Sequence, residues 1–374
     1  MVLVMRERLE NFLLELLSSR MAKQAINLEL APKLQITKCV PLTKQECNEV
    51  DDLWSCISAK KDYRSWSFYK THLRFNPAFV PDDLYVKYML RVLNPIRFVY
   101  CLQNKNMYPL LFTDLPKPQT VMNCINGVVF GENKMFDYRN LNNVNVFRGG
   151  VKQVIIKPSA DSCSGNGVQL LDLDSLNEQE LAAKCQSMGN FWICQSVVRQ
   201  SAKTSQFNKS SLNTFRINTL CLNDKVSVVN IIFRHGREGT IVDNGGAGGI
   251  CCGLDAEGQF TGLAFDSKLN RFKKTAFGEA YSKVKISEVG NLVELALWSH
   301  KRYLPMMGHA AWDFALDEND KPVFIEVNLG WPGIILEQLC NNSPIYDNRT
   351  EEVIEYVVSH KDRLEWTDFV GHWT

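Results

Sequence analysis

No apolar run reaches the roughly 18 residues that a membrane-spanning helix needs, so none is expected in this 374-residue chain. Charge of one sign is also missing. Forty-two Lys and Arg face 41 Asp and Glu, which leaves +1 and no electrostatic case for nucleic acid or an anionic membrane. Twelve cysteines are present, yet no CxxC pair and no Cys/His comb occurs, and Cys251 and Cys252 are adjacent, so a zinc site is not expected. Only six histidines occur, and no Ser/His or Cys/His pair suggests a nucleophile. Internal repeats, low-complexity tracts and long linkers are absent, so the two or three units that the length allows should pack together. The opening MVLVMRERLENFLLELL is too acidic and broken for a secretion signal; with unpaired cysteines, it points to a cytoplasmic setting. What remains, 45% hydrophobic and 22% charged, is an ordinary globular composition.

The first 95 or so residues read as helical. Leu9, Phe12, Leu13, Leu16 and Leu17 recur at helical spacing, and Thr43 with Glu46 forms a capping-box pattern before Val50, Leu53, Trp54 and Ile57. The aromatic and basic segment Tyr63 to Phe79 suits either a partner surface or, better, packing between helices. After Pro95 the texture turns strand-rich, beginning with a strand over Arg97–Leu102. An Asn126-Gly127 turn joins two further strands.

The densest signal is Ala310–Gly333, two short alternating strands around a polar turn at Asp317 to Pro322. Symmetric closure sets Asp313 opposite Glu326, with Asn328 on the same face. Facing carboxylates about 5 Å apart repel unless a cation lies between them. Two carboxylates and an amide oxygen form a hard donor set suited to Mg²⁺. A solvated edge hairpin explains the same residues equally well.

Four upstream features bear on that choice. Lys157 ends a strand before the loop Pro158 to Gly167, where amides over Ser164–Gly167 can cradle an anion. Phe191–Val198 is an apolar strand that could offer its backbone to a purine edge or simply fill a core. Asn213 and Thr214 precede a strand carrying Arg216, whose fork suits a phosphoryl group or a carboxylate. Asp243 opens a glycine-rich run to Gly253 that suits a loop beside a ligand or an ordinary connection.

Their order, together with IIKPSADSCSGNGV, QSVVRQ, SSLNTFRINT, VDNGGAGGI, WDFAL and FIEVNLGWPG, resembles the ATP-grasp enzymes. More narrowly, it resembles the sugar-transfer-associated proteins found with polysaccharide biosynthesis. The resemblance spans roughly residues 97–335. It implies an α+β fold with two lobes clamping ATP: residues 1–95 a helical region, 96–200 one lobe, 201–374 the other. Lys157, and Lys105 as an earlier family lysine, would meet the phosphates. Ser164, Gly165 and Gly167 would form the lid, and Gln195, Ser196, Val197 and Val198 the adenine hinge. Asn213 counts among the nucleotide contacts. Asp313, Glu326 and Asn328 would hold one or two Mg²⁺, and Arg216 would act on the transferring group. Departures fall at Gln195, where relatives often carry glutamate, at Gln200-Ser201, where Gln-His is common, and at Ala311, where ligases carry arginine.

The expected chemistry is ATP-dependent activation of a carboxylate as an acyl phosphate, followed by amine attack, with small-molecule or glycan-linked substrates. A kinase acting on a sugar hydroxyl and a non-catalytic nucleotide-binding module are the alternatives. His235 and His309 are candidates for acid/base roles or for structural ones.

Overall fold

The computed structural model describes residues 2–131, 134–136, 151–160, 165–240, 243 and 248–369. Helix α1 (Val2–Ala25) is followed by α2 (Lys44–Trp54) and α3 (Arg64–His72). The capping box expected at α2 forms: the Glu46 amide donates to Thr43 Oγ1 at 3.2 Å and the Thr43 amide donates to Glu46 Oε2 at 2.6 Å. The aromatic segment packs inward. The indoles of Trp54 and Trp66 both donate to the Pro77 carbonyl, at 2.8 and 3.0 Å, and Tyr69 stacks on Phe79.

Two sheets follow, antiparallel throughout their described ladders. The first holds β1 (Thr120–Ile125), β2 (Val128–Gly131), β3 (Lys134–Phe136), β4 (Gln153–Pro158), β5 (Gln169–Asp172) and β6 (Phe191–Ser196) in the order β3-β2-β1-β6-β4-β5. Asn126 (φ 51°) and Gly127 (φ 80°) make the expected β1–β2 turn, in which both central residues need positive φ. The second sheet runs β11-β10-β9-β8-β7-β12-β13. Its members are β7 (Thr214–Leu222), β8 (Lys225–His235), β9 (Ile250–Leu254), β10 (Phe260–Asp266), β11 (Arg271–Phe272), β12 (His309–Leu316) and β13 (Pro322–Asn328).

Alternation gives the second sheet two unlike faces. Phe215, Ile217, Phe233, Trp312 and Phe314 form an apolar face with Leu292 and Ala296 of a helix at Val289–Tyr303. The other face carries Thr214, Arg216 and Asn218 on β7 and Asp313 on β12, then turns apolar at Leu220 and Leu222. Those leucines share one core with Trp54, Trp66 and Val86 from the first 95 residues and with Leu339 and Val353 from the C-terminal helices. The N-terminal helices are therefore built into the polar-faced side of the sheet.

One expectation is corrected, and one helix faces a way its spacing does not state. Arg97–Leu102 is helical: α4 (Ile96–Leu102) starts after Pro95, whose fixed φ suits a helix start. Ile96 and Val99 turn inward, while Phe98 and Tyr100 remain 51% and 39% exposed. In α1, the face containing Leu9, Phe12 and Leu16 points outward; Ser18, Met21, Ala22 and Ala25 are buried instead. This helix is apolar on several sides, so spacing alone does not select the inward one.

Candidate active site

Register brings the predicted hairpin residues together. Asp313 pairs with Glu326 across the hairpin and with Arg216 on its other side, so one row crosses β13, β12 and β7. Asp313 is fully buried. Its Oδ1 accepts from Arg216 Nε and its Oδ2 from Arg216 Nη2, each at 2.9 Å, a two-pronged pair. Oδ2 also accepts from Arg234 Nη2 at 3.0 Å and from Asn328 Nδ2 at 3.1 Å. The Arg216 fork continues to the Pro332 carbonyl at 3.0 Å and lies 3.7 Å from Glu337.

Glu326 turns the other way, to Lys105 Nζ at 3.0 Å. Lys105 sits in the turn Lys105–Met107, capped by Asn104, and its amide donates to the Ser159 carbonyl just past β4. Lys157, on β4, adds its charge to the same place. Burial and the charge of Lys105 push the Lys157 ammonium down to about 8, against the pull of Glu326. Burial would raise the Glu326 carboxyl, but Lys105, Lys157 and Arg234 outweigh it and hold the group well below the usual range. Residues of both sheets thus meet at Glu326.

Arg234 is the residue that sequence reasoning missed. It stands opposite Thr214 and reaches past β7 to Asp313; its Nε and Nη2 donate to Thr214 Oγ1 at 3.1 and 2.8 Å. Thr214 Oγ1 in turn donates to Asp243, whose carboxyl burial raises against the pull of Arg234. Buried Glu337 was missed as well; it is likewise raised by burial and opposed by Arg216. Four cations (Lys105, Lys157, Arg216, Arg234) therefore share the cluster with four carboxylates (Asp243, Asp313, Glu326, Glu337).

Other expected residues lie differently. Asn213 is fully buried, and its Nδ2 lies within 3.1 Å of Gln200 Oε1 and of the Thr204 and Asn208 carbonyls, while Ser211 Oγ donates to its Oδ1. Such an amide, buried and bonded within the chain, pins the turn into β7. Gln195 and Ser196 have sheet partners in β4 on one side and at Gln119 and Thr120 on the other. Only Val197 and Val198, beyond the strand end and half-buried, suit a purine edge by their backbone. Gly165 and Gly167 have φ of 72° and 77°, and a Cβ on Gly167 would lie 2.9 Å from Pro158, so the turn itself requires glycine there. Ser164 lies outside the described residues, as does much of the glycine run after Asp243. His309 is buried between Tyr85 and Asn218, at 2.8 and 3.1 Å, and pushed down to about 3 by burial. His235 is buried against the Tyr281 hydroxyl at 2.7 Å and pushed down to about 4. Both are neutral core residues; His309 opens β12 four residues before Asp313, and His235 ends β8.

As a metal site the hairpin fits in composition: Asp313, Glu326 and Asn328 are hard oxygen donors on facing strands. Part of its capacity is already used, however, since Asp313 faces two guanidiniums and Glu326 an ammonium. Among the described residues no cluster of three or more metal-type side chains stands ready to close on an ion. A cation would therefore share these oxygens with the nitrogen contacts or displace some of them.

No curated protein matches the sequence. Among solved structures, a D-alanine–D-alanine ligase from Coxiella burnetii is 11% identical, with a TM-score of 0.40 over 70% of this chain and 59% of that one. D-alanyl-alanine synthetase A from Vibrio cholerae O1 biovar eltor is 11% identical, with 0.42 over 71% and 66%. An L-amino acid ligase from Bacillus licheniformis is 13% identical, with 0.39 over 73% and 51%. The chain thus spans less than two thirds of the length of each. The profile of the sugar-transfer associated ATP-grasp proteins matches residues 85–353, including Lys105, Lys157, Arg216, Asp313 and Glu326. That match covers most of the sequence and agrees with the expected α+β architecture: the chain belongs to the sugar-transfer associated ATP-grasp family.

Proposed function

We propose that this ATP-grasp protein is a Mg·ATP-dependent carboxylate–amine ligase. The observation that carries the reading is the Lys105–Glu326 pair at 3.0 Å, with the Lys157 ammonium close enough to act on the same carboxylate, beside the Arg216–Asp313 pair. Two ammonium groups on one side suit the polyphosphate, and a guanidinium on the other suits the group being transferred. Asp313, Glu326 and Asn328 would hold the magnesium. When bound, it would neutralise phosphate oxygens.

In the first step the acceptor carboxylate bonds to the γ-phosphorus and the bond to the ADP oxygen breaks. Lys157 and Arg216 oppose the charge that builds up. An amine nitrogen then attacks the acyl carbon, the acyl C–O bond breaks, and inorganic phosphate leaves, able to accept the amine's proton. A carboxylate acceptor needs no base for the first step. This favours a ligase over a kinase, because a hydroxyl acceptor must lose a proton. Of the two facing hairpin carboxylates, Glu326 is held well below the usual range and is a poor base. The family description suggests a sugar acid or amino sugar among the substrates, as in polysaccharide assembly. The free cysteines suit the cytoplasm.

Product analysis with Mg·ATP and paired sugar acids, amino sugars and amino acids tests the proposal. A ligase releases phosphate with amide formation only when acid and amine are both present. A stable phosphoester formed without amine would replace the reading with a kinase.

A further inference from the structure

Helix α1 is packed against the protein by one side only. Its inner face, with Ser18, Met21 and Ala25 buried, lies on residues 82–89 and on the turn Trp366–Phe369. On the opposite side Met5, Leu9, Phe12 and Leu16 are 65%, 57%, 62% and 53% exposed. Their 4-3-4 spacing is that of alternating d and a positions in a heptad, the narrow seam of a two-helix coiled coil rather than the wider stripe of a core helix. The seam is about 16 Å long.

We propose that this face pairs with the same face of a second copy, with the two α1 helices antiparallel. Pairing about the midpoint between Glu10 and Asn11 sets Leu9 against Phe12 of the partner chain and Met5 against its Leu16. Every a position then meets a d position. The flanking charges match only in this direction. Arg8 of each copy falls beside Glu15 of the other; both side chains are exposed, and the Glu15 carboxylate, which meets Lys87 of its own chain at 2.6 Å, would be shared between Lys87 and the incoming Arg8. A parallel pair would set Arg8 beside Leu13 instead. The helix carries Arg6, Arg8, Arg20 and Lys23 against Glu7, Glu10 and Glu15, so net charge does not select an anionic lipid surface; the heptad spacing and the Arg8–Glu15 match select a second copy. The area is at the low end for a specific interface, near about 1,000 Å² in all, so association is expected in the micromolar range.

Sedimentation velocity on the full chain from about 1 to 200 μM, with dissociation constants read from the concentration series, tests the pairing. The wild-type protein should pass from monomer to dimer. L9E/F12E should weaken the dimer by about 100-fold or more, since it buries charge in the seam. Because both side chains are exposed, that variant should keep the wild-type melting temperature. R8E alone and E15R alone should each be monomeric at concentrations where the wild type pairs. Mixed together they should form a heterodimer, because both flanking contacts then join opposite charges. A wild-type monomer throughout, a dimer indifferent to L9E/F12E, no gain on mixing R8E with E15R, or α1-dependent binding to lipid vesicles in place of pairing would each overturn the proposal.

Discussion

Asp313 and Glu326 face each other in register across β12 and β13, yet they close on different cations: Asp313 on Arg216 and Arg234, Glu326 on Lys105. The repulsion expected between facing carboxylates is thus relieved by nitrogen cations from both sides. One consequence is that Asp313 holds two arginines together. Asp313→Ala would leave both guanidiniums buried and repelling, at a cost of about 3–5 kcal/mol. Thermal unfolding should show a fall in Tm of several degrees, and a smaller one for Asn328→Ala, which removes a single amide. Equal melting of wild type and Asp313→Ala would contradict the pairing.

On the proposed function, Lys157 should set the alkaline limit of nucleotide binding. Its ammonium titrates at about 8 in the free protein, so ATP affinity should hold below that pH and weaken above it, by at most about tenfold per pH unit. Lys157→Arg keeps its charge and should flatten the profile. Calorimetric titration with Mg·ATP between pH 7 and 9.5 checks this; matching slopes for the two proteins would exclude Lys157 as the titrating group.

Glu326 should govern part of the acid branch of stability. A carboxyl held below its unfolded value contributes stability above that value and loses it as pH falls through the folded one. Wild-type stability should therefore drop below about pH 4.5, and Glu326→Gln should drop less steeply over the same range. Urea midpoints at pH 6, 5, 4 and 3.5 read the difference. The same variant should lose ATP turnover at pH 7.

Asn213 separates structure from binding. Asn213→Ala strips the partners from the buried Gln200–Thr204–Asn208 turn and should cost about 2–3 kcal/mol. Below its melting temperature the variant should bind ATP as the wild type does. A selective loss of ATP affinity without a change in Tm would make it a nucleotide contact.

Much of this site was legible in the sequence because β-strands have a period of two. Once the Asp317–Pro322 turn is recognised, the opposition of Asp313 to Glu326 follows, and Asn328 falls on the same face. Arg234 was not legible. Its partner lies two strands away in the sheet, and strand order is not a property of local pattern. Glu337 escaped for the same reason, arriving from the helix Ile335–Asn341 packed over the sheet. Spacing failed differently at α4, where a short apolar run suits strand and helix alike and the preceding proline decides. At α1 spacing gave the helix but not its inward face, because a helix apolar on several sides has no single one.

The acyl-phosphate step is the centre of the account, and oxygen transfer tests it most directly. Sugar acids and amino acids labelled with ¹⁸O in the carboxylate, incubated with Mg·ATP and an amine, should give inorganic phosphate carrying one ¹⁸O for each amide formed. Glu326→Gln should give none. Turnover of ATP to a phosphorylated hydroxyl product, with no label entering inorganic phosphate, would contradict the account.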